Sequence, residues 1–232
     1  MTDPTAIVLV PGLLCSPLLY TNQIPALWQF GPVTVADHRR DDTMDAIARR
    51  ILANAPPRFA LVGLSMGGYI ALAIMRAAPE RVTRLALLDT SARPDLPEQS
   101  ERRKAQIALA RLGQLANITE TLWPLFVHKD RHNDSDLKKI IVQMAQDTGA
   151  EAFIRQQTAI MGRPDSRPDL PKLKCPTLML VGEADALTPP NLAQEIAAGV
   201  PDCRLVTIAG SGHLTTLERP DAVTRALVEW MS

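Results

Sequence analysis

Short apolar runs alternate with amphipathic stretches along most of the chain. The runs AIVLV (6–10), VTVA (33–36), FALVG (59–63), RLALL (84–88), TLMLVG (177–182) and RLVTI (204–208) have the length and composition of strands. Between them, residues 43–55, 66–78, 190–199 and 219–231 place apolar side chains at helical spacing. Near-continuous apolar strands separated by helices predict an α/β fold whose mainly parallel, doubly wound sheet is buried on both faces. In open sheets of this kind ligands bind beyond the carboxyl ends of the strands. The residues that follow each apolar run therefore carry the functional information.

Residues 93–165 break the alternation, with no convincing strand. SDLKKIIVQMAQDTG sets Leu137, Ile140, Ile141 and Met144 at helical spacing, and Gly149 reads as the end of that helix. A second helix is expected over SERRKAQIALARLGQL (100–115), with shorter ones around Trp123 and Phe153. The expected organisation is a core of residues 1–92 and 166–232, with 93–165 inserted as a helical cap over the strand ends.

The segments after the strands hold a set of chemically matched residues. The first strand runs into PGLLCS (11–16), a Pro-Gly turn that exposes backbone N–H groups. The third runs into Ser65, which sits between Gly63 and Gly67 at a strand-to-helix junction. A G-x-S-x-G pentapeptide arises by chance in on the order of one chain in ten at ordinary glycine and serine usage, so it needs partners. The fifth strand is followed by Asp185, and the sixth by His213 in a glycine-serine loop. Serine, acid and histidine in that chain order form the sequence of a nucleophile-elbow triad. Asp89, which follows the fourth strand, is the competing acid; Asp185 is preferred because its loop is long enough to reach beneath the histidine.

GLSMGG (63–68), GEADALTPP (182–190) and GSGHLTTLERP (210–220) together resemble the α/β-hydrolase superfamily, in its cofactor-independent esterase and 3-oxoadipate enol-lactonase-like branch. The resemblance spans the chain apart from the cap. It implies Ser65 as nucleophile, His213 as base, Asp185 as the acid, and the backbone N–H groups of Leu13 and Met66 as the oxyanion hole. It also implies no cofactor and a small-molecule ester or lactone substrate. The usual His-Gly after the first strand is Pro11-Gly12 here. The two edge strands that precede this point in the superfamily are expected to be missing, leaving a compact sheet. Carbon–carbon bond hydrolases and perhydrolases use the same triad, and the fold also serves as a non-enzymatic small-ligand receptor. The apolar LLCSPLLY stretch (13–20) favours ester or lactone cleavage, because a departing carbanion needs polar residues on its side of the site.

Composition narrows the remaining choices. Among 232 residues, 25 basic and 25 acidic side chains balance, which gives no electrostatic footprint for nucleic acid or an anionic membrane. No apolar run reaches the ~18 residues of a membrane helix, and the N-terminal stretch has no signal-peptide pattern, so a cytoplasmic location is expected. Three cysteines and four histidines show no metal-ligand spacing, and no metal is expected. Leu14, Leu18, Trp123, Phe126 and Met161 are candidates to line an apolar acyl pocket. Arg163 and Arg167, flanking Asp165, are candidates to bind a substrate carboxylate. Cys15 is expected to fill space as a small hydrophobe.

Overall fold

The computed structural model describes residues 4–232. Its sheet has six strands: β1 (Ile7–Val10), β2 (Val33–Val35), β3 (Phe59–Leu64), β4 (Val82–Leu88), β5 (Thr177–Gly182) and β6 (Cys203–Ile208). Their spatial order is β2-β1-β3-β4-β5-β6, and every pair is parallel. The chain steps from β1 outward to β2, then returns to lay β3 on the other side of β1. This reversal makes the carboxyl ends of β1 and β3 a topological switch point, where open sheets form their ligand crevice.

The side chains of each central strand alternate between two apolar layers, as the pleat requires. Ile7 and Leu9 join one layer with Val62, Leu64, Leu88 and Leu180. Val8 and Val10 join the other with Leu61, Leu87, Met179 and Val181. Central β3 and β5 are buried along their whole length, whereas β2 and β6 at the edges are partly exposed. Each fully buried leucine or isoleucine contributes ~1.5–3 kcal/mol, so these two layers supply the main stabilisation.

Nine α-helices accompany the sheet among the described residues: α1 (Ile24–Leu27), α2 (Met44–Asn54), α3 (Met66–Ala77), α4 (Pro97–Arg111), α5 (Leu115–Phe126), α6 (Ser135–Met161), α7 (Pro190–Gly199), α8 (Thr215–Glu218) and α9 (Pro220–Met231). α2 begins where Thr43 Oγ1 accepts the Ala46 N–H, and it buries Met44, Ile47, Ala48 and Ile51 on one stripe. α2, α3 and α7 cover one face of the sheet, and α9 covers the other.

α4, α5 and α6 lie between β4 and β5, in the region read as the cap. Their boundaries differ from the periodicity in two places. Pro97 occupies the first turn of α4, so this helix starts before the expected Ser100. Gly113, at φ 76°, ends that helical run, and α5 follows as a separate element. Gly149 leaves helical geometry at φ 76° and ψ 163°, yet the helix resumes beyond it and carries Phe153 onward to Met161. Ile118, Trp123, Phe126, Leu137, Ile141 and Phe153 pack into the same apolar layer as Ile7 and Leu9.

Gly67 sits where α3 crosses β1, and a Cβ at this position would overlap the Val10 carbonyl. Gly67→Ala should therefore cost ~3 kcal/mol or more, read as a lowered midpoint in urea unfolding. Gly113→Ala, strained in φ but with open space around the new Cβ, should cost only ~1–2 kcal/mol.

Candidate active site

Ser65 follows β3 and caps α3 with φ 55° and ψ −114°, a backbone state that few non-glycine residues occupy. The neighbouring backbone holds it there. Ser65 N–H donates to Leu88 O at 2.9 Å, while Ser65 O accepts from Gly68 N–H at 2.9 Å and Thr90 Oγ1 at 2.8 Å. A Cβ on Gly63 would overlap the Gly67 carbonyl, so both glycines of the pentapeptide are needed for the turn to close. Leu14 (φ 58°) and Asp89 (φ 45°) are likewise strained. All three follow the carboxyl ends of β1, β3 and β4, so the strain is concentrated at one edge, as at functional sites.

His213 reaches Ser65 from the loop after β6. Its Nε2 lies 2.9 Å from Ser65 Oγ, and its Nδ1 lies 2.8 Å from Asp185 Oδ2. Asp185 is fixed in turn by the loop after β5. Its Oδ1 accepts the N–H groups of Leu187 and Thr188, each at 2.9 Å, and its Oδ2 accepts Thr188 Oγ1 at 2.7 Å. Burial by itself would raise the Asp185 pKa, but the adjacent imidazole and these donors hold it below the ordinary carboxylate value. Burial opposes the charged form of His213 as well; the Asp185 carboxylate outweighs it and raises the imidazole pKa.

Asp89 makes no hydrogen bond to His213. Its Oδ1 accepts the Gly182 N–H at 2.9 Å and its Oδ2 accepts Thr215 Oγ1 at 2.5 Å. It bolts β4 to β5 and to the start of α8. Complete burial, reinforced by repulsion from Asp185, pushes its pKa well above the usual carboxylate range.

The His213 loop is also held from above. The N–H groups of His213 and Leu214 both donate to Phe126 O, at 3.1 and 3.0 Å, and the Phe126 ring stacks on the imidazole with centroids 6.3 Å apart. Buried Glu218 accepts the Gly212 N–H at 2.8 Å and the His128 N–H at 2.7 Å, joining this loop to the segment after α5. Thr188, Thr215 and Glu218 escaped the sequence reading although they lie inside or beside the quoted motifs. Nothing in their spacing distinguishes them from ordinary loop residues.

Leu13 and Met66 sit at the ends of the turns after β1 and β3. Among the described residues, neither backbone N–H donates to a protein acceptor. A Cβ on Gly12 would lie 3.4 Å from Ser65 Cβ, so the first turn packs directly against the serine. Leu14, Trp123 and Phe126 are buried in the apolar layer next to Leu214 and Leu217, Met161 is half-buried at the end of α6, and Leu18 is exposed. Burial pushes the Cys15 thiol up to about 12, and its Sγ donates to Leu13 O.

Arg163 is not free to bind a substrate. It lies inside the protein with its guanidinium 4.2 Å above the Tyr69 ring, paired to buried Asp95 at 2.5 Å and donating to the carbonyls of Arg93 and Ile160. Arg103 joins the same Asp95 at 2.7 Å. Arg167 is paired with Asp165 at 2.6 Å and faces Glu195. Both arginines expected to bind a substrate carboxylate are held in intramolecular ion pairs, Arg163 inside the protein and Arg167 at its surface. Arg163→Ala should cost ~3–5 kcal/mol in chemical unfolding, because it strips a buried carboxylate of one partner.

The model of the alpha/beta hydrolase family matches residues 7–226. A thermophilic esterase from Thermogutta terrifontis superposes with a TM-score of 0.89 at 31% identity, covering 98% of this chain and 89% of that one. The enol-lactonase from Burkholderia xenovorans LB400 superposes with a TM-score of 0.90 at 25% identity, over 99% and 92% of the two chains. In sequence, the pimeloyl-[acyl-carrier protein] methyl ester esterase of Nitrosomonas europaea is 25% identical over 189 residues, 78% of this chain and 74% of that protein. With the family pattern running through nearly its whole length and a hydrolase sheet beneath it, the chain belongs to the alpha/beta hydrolase family and is a hydrolase.

Proposed function

We propose that the protein cleaves carboxylic esters or lactones through an acyl-enzyme on Ser65. The observation that carries this reading is the unbroken chain of contacts from Ser65 Oγ through His213 to Asp185, at 2.9 and 2.8 Å. His213 Nε2 takes the serine proton as Oγ attacks the acyl carbon, and Asp185 stabilises the imidazolium that forms. The carbonyl oxygen becomes an oxyanion beside the N–H groups of Leu13 and Met66, a type of donor worth ~3–4 kcal/mol. Collapse expels the alkoxide, which leaves with the proton from His213. Water then enters, gives its proton to His213, attacks the acyl-enzyme and regenerates Ser65.

Two features favour a neutral acyl ester or lactone. Apolar residues flank His213, with the Phe126 ring stacked on its imidazole and buried Leu214 following it in the chain. The arginines where the cap segment rejoins the core are paired internally, which leaves them unsuited to a carboxylate-bearing or carbanion-releasing substrate. The esterase and enol-lactonase among the similar structures favour cleavage of an ester or lactone C–O bond.

Purified protein should turn over short acyl esters or lactones many times and leave vinylogous diketones nearly untouched. Ser65→Ala should lower kcat by roughly four to six orders of magnitude with an unchanged unfolding midpoint. Asp185→Asn should lower it by on the order of 10⁴, whereas Asp89→Asn should act mainly on stability. Equal losses from the two asparagine variants, at equal stability, would count against Asp185.

Acylation requires neutral His213, whose pKa is raised in the folded protein. The protonated, inactive form therefore persists to higher pH than for a free imidazole. The acid limb of kcat/KM should have its midpoint above the ordinary histidine value of ~6.5, with a plateau beyond it.

A further inference from the structure

Two buried polar side chains, His38 and Gln156, take no part in the contacts among Ser65, His213 and Asp185. They come from distant parts of the chain, His38 from the loop after β2 and Gln156 from the half of α6 beyond Gly149. Gln156 Oε1 accepts the Leu14 N–H at 3.2 Å. Its Nε2 lies 3.0 Å from His38 Nε2, and that same ring nitrogen lies 2.9 Å from Gly12 O. A buried amide is costly unless it is hydrogen-bonded, and this one is committed at its oxygen to the turn after β1 and at its nitrogen to His38.

The geometry of the peptide unit gives these contacts a consequence. Gly12 C=O and Leu13 N–H belong to one planar trans peptide, so they point in opposite directions. Whatever holds the Gly12 carbonyl sets the direction of the Leu13 N–H. The next peptide is held at its own N–H by Gln156, which keeps Leu14 at its strained φ of 58°. The Leu14 N–H can only donate, so the Gln156 oxygen faces it and the amide nitrogen faces His38. One ring nitrogen cannot donate to the carbonyl and accept from the amide together. Whichever it serves, His38 restrains the turn, at Gly12 O directly or at Leu14 N–H through Gln156.

Building on the serine-hydrolase reading, we propose that His38 and Gln156 are positioning residues that aim the Leu13 N–H at the oxyanion. Through them, helix α6 holds the hole in its working shape. Two neighbouring links tie the same elements together: Arg155 Nε donates to Arg39 O at 2.9 Å, and Arg39 Nη1 donates to Asp147 O at 3.1 Å.

The test compares wild type, Gln156→Leu, Gln156→Glu, His38→Leu and the Gln156→Leu/His38→Leu double variant. The rate of Ser65 phosphonylation by a fluorophosphonate is read by intact mass. Kcat and KM are measured on an ester that the wild type hydrolyses. Each leucine variant should slow phosphonylation and kcat roughly ten- to a hundredfold, with KM within about threefold, since the lost contact acts on the transition-state oxyanion. Gln156→Glu keeps an acceptor for the Leu14 N–H and should recover most of the loss. The double variant should be little slower than the slower single one, because the two side chains act as a unit. If Gln156→Leu does not fold, His38→Leu carries the same expectation. Folded leucine variants that label at the wild-type rate, or that raise KM and spare kcat, overturn the proposal alone. A wild type whose Ser65 is not phosphonylated, or a Ser65→Ala variant that hydrolyses the ester equally well, overturns the serine-hydrolase reading and this proposal with it.

Discussion

The approach of Gly67 to the Val10 carbonyl is the constraint on which the rest of the site depends. It allows α3 to start directly against β1, which places the turns after β1 and β3 side by side at the switch point of the sheet. Ser65 is then forced into its left-handed backbone state between two strand ends, with Gly12 packed against it. A side chain at Gly63 or Gly67 would push the helix outward and separate the serine from the turn that faces it. The strain at Leu14, Ser65 and Asp89 is of order 1–3 kcal/mol each, and it is offset by the two buried apolar layers beneath.

Around this edge the protein distinguishes two buried carboxyl groups by their partners. Asp185 receives two backbone N–H groups, a threonine hydroxyl and the imidazole, so its charge is stabilised despite burial. Asp89 receives one N–H and one hydroxyl in a fully enclosed position beside another carboxylate, so its pKa is pushed up while that of Asp185 is held down. One group is thereby suited to pair with a cationic imidazole and the other to fasten strands together. The difference lies in the number and kind of donors, since both residues are aspartates at strand ends.

The helices between β4 and β5 are integral to the geometry below them. Phe126 holds the His213 loop through its carbonyl and its ring, and the segment after α5 is joined to that loop through Glu218. Gln156 reaches the turn after β1 from α6. These helices share an apolar layer with the sheet, so they cannot shift far without disturbing the loops that carry the polar groups. The ion pairs of Arg163 and Arg103 on Asp95 give the same region a rigid polar seam.

The sequence by itself determined the alternation of strands and helices, the turn at Ser65 and the places of Asp185 and His213, because these rest on local patterns. Apolar periodicity, glycine spacing and loop composition act over a few residues and can be read within them. Local patterns also misplaced some features: Gly149 bends a helix that a C-terminal glycine usually ends, since packing of Phe153 on the core lets helical structure resume. Only the tertiary structure decided which charges were free. Arg163 finds Asp95 across 68 positions and Gln156 finds Leu14 across 142, and no local spacing encodes such pairs. The raised pKa of Asp89 belongs to the same class, because it depends on burial and on the nearness of Asp185, both of which exist only after the chain has closed around them.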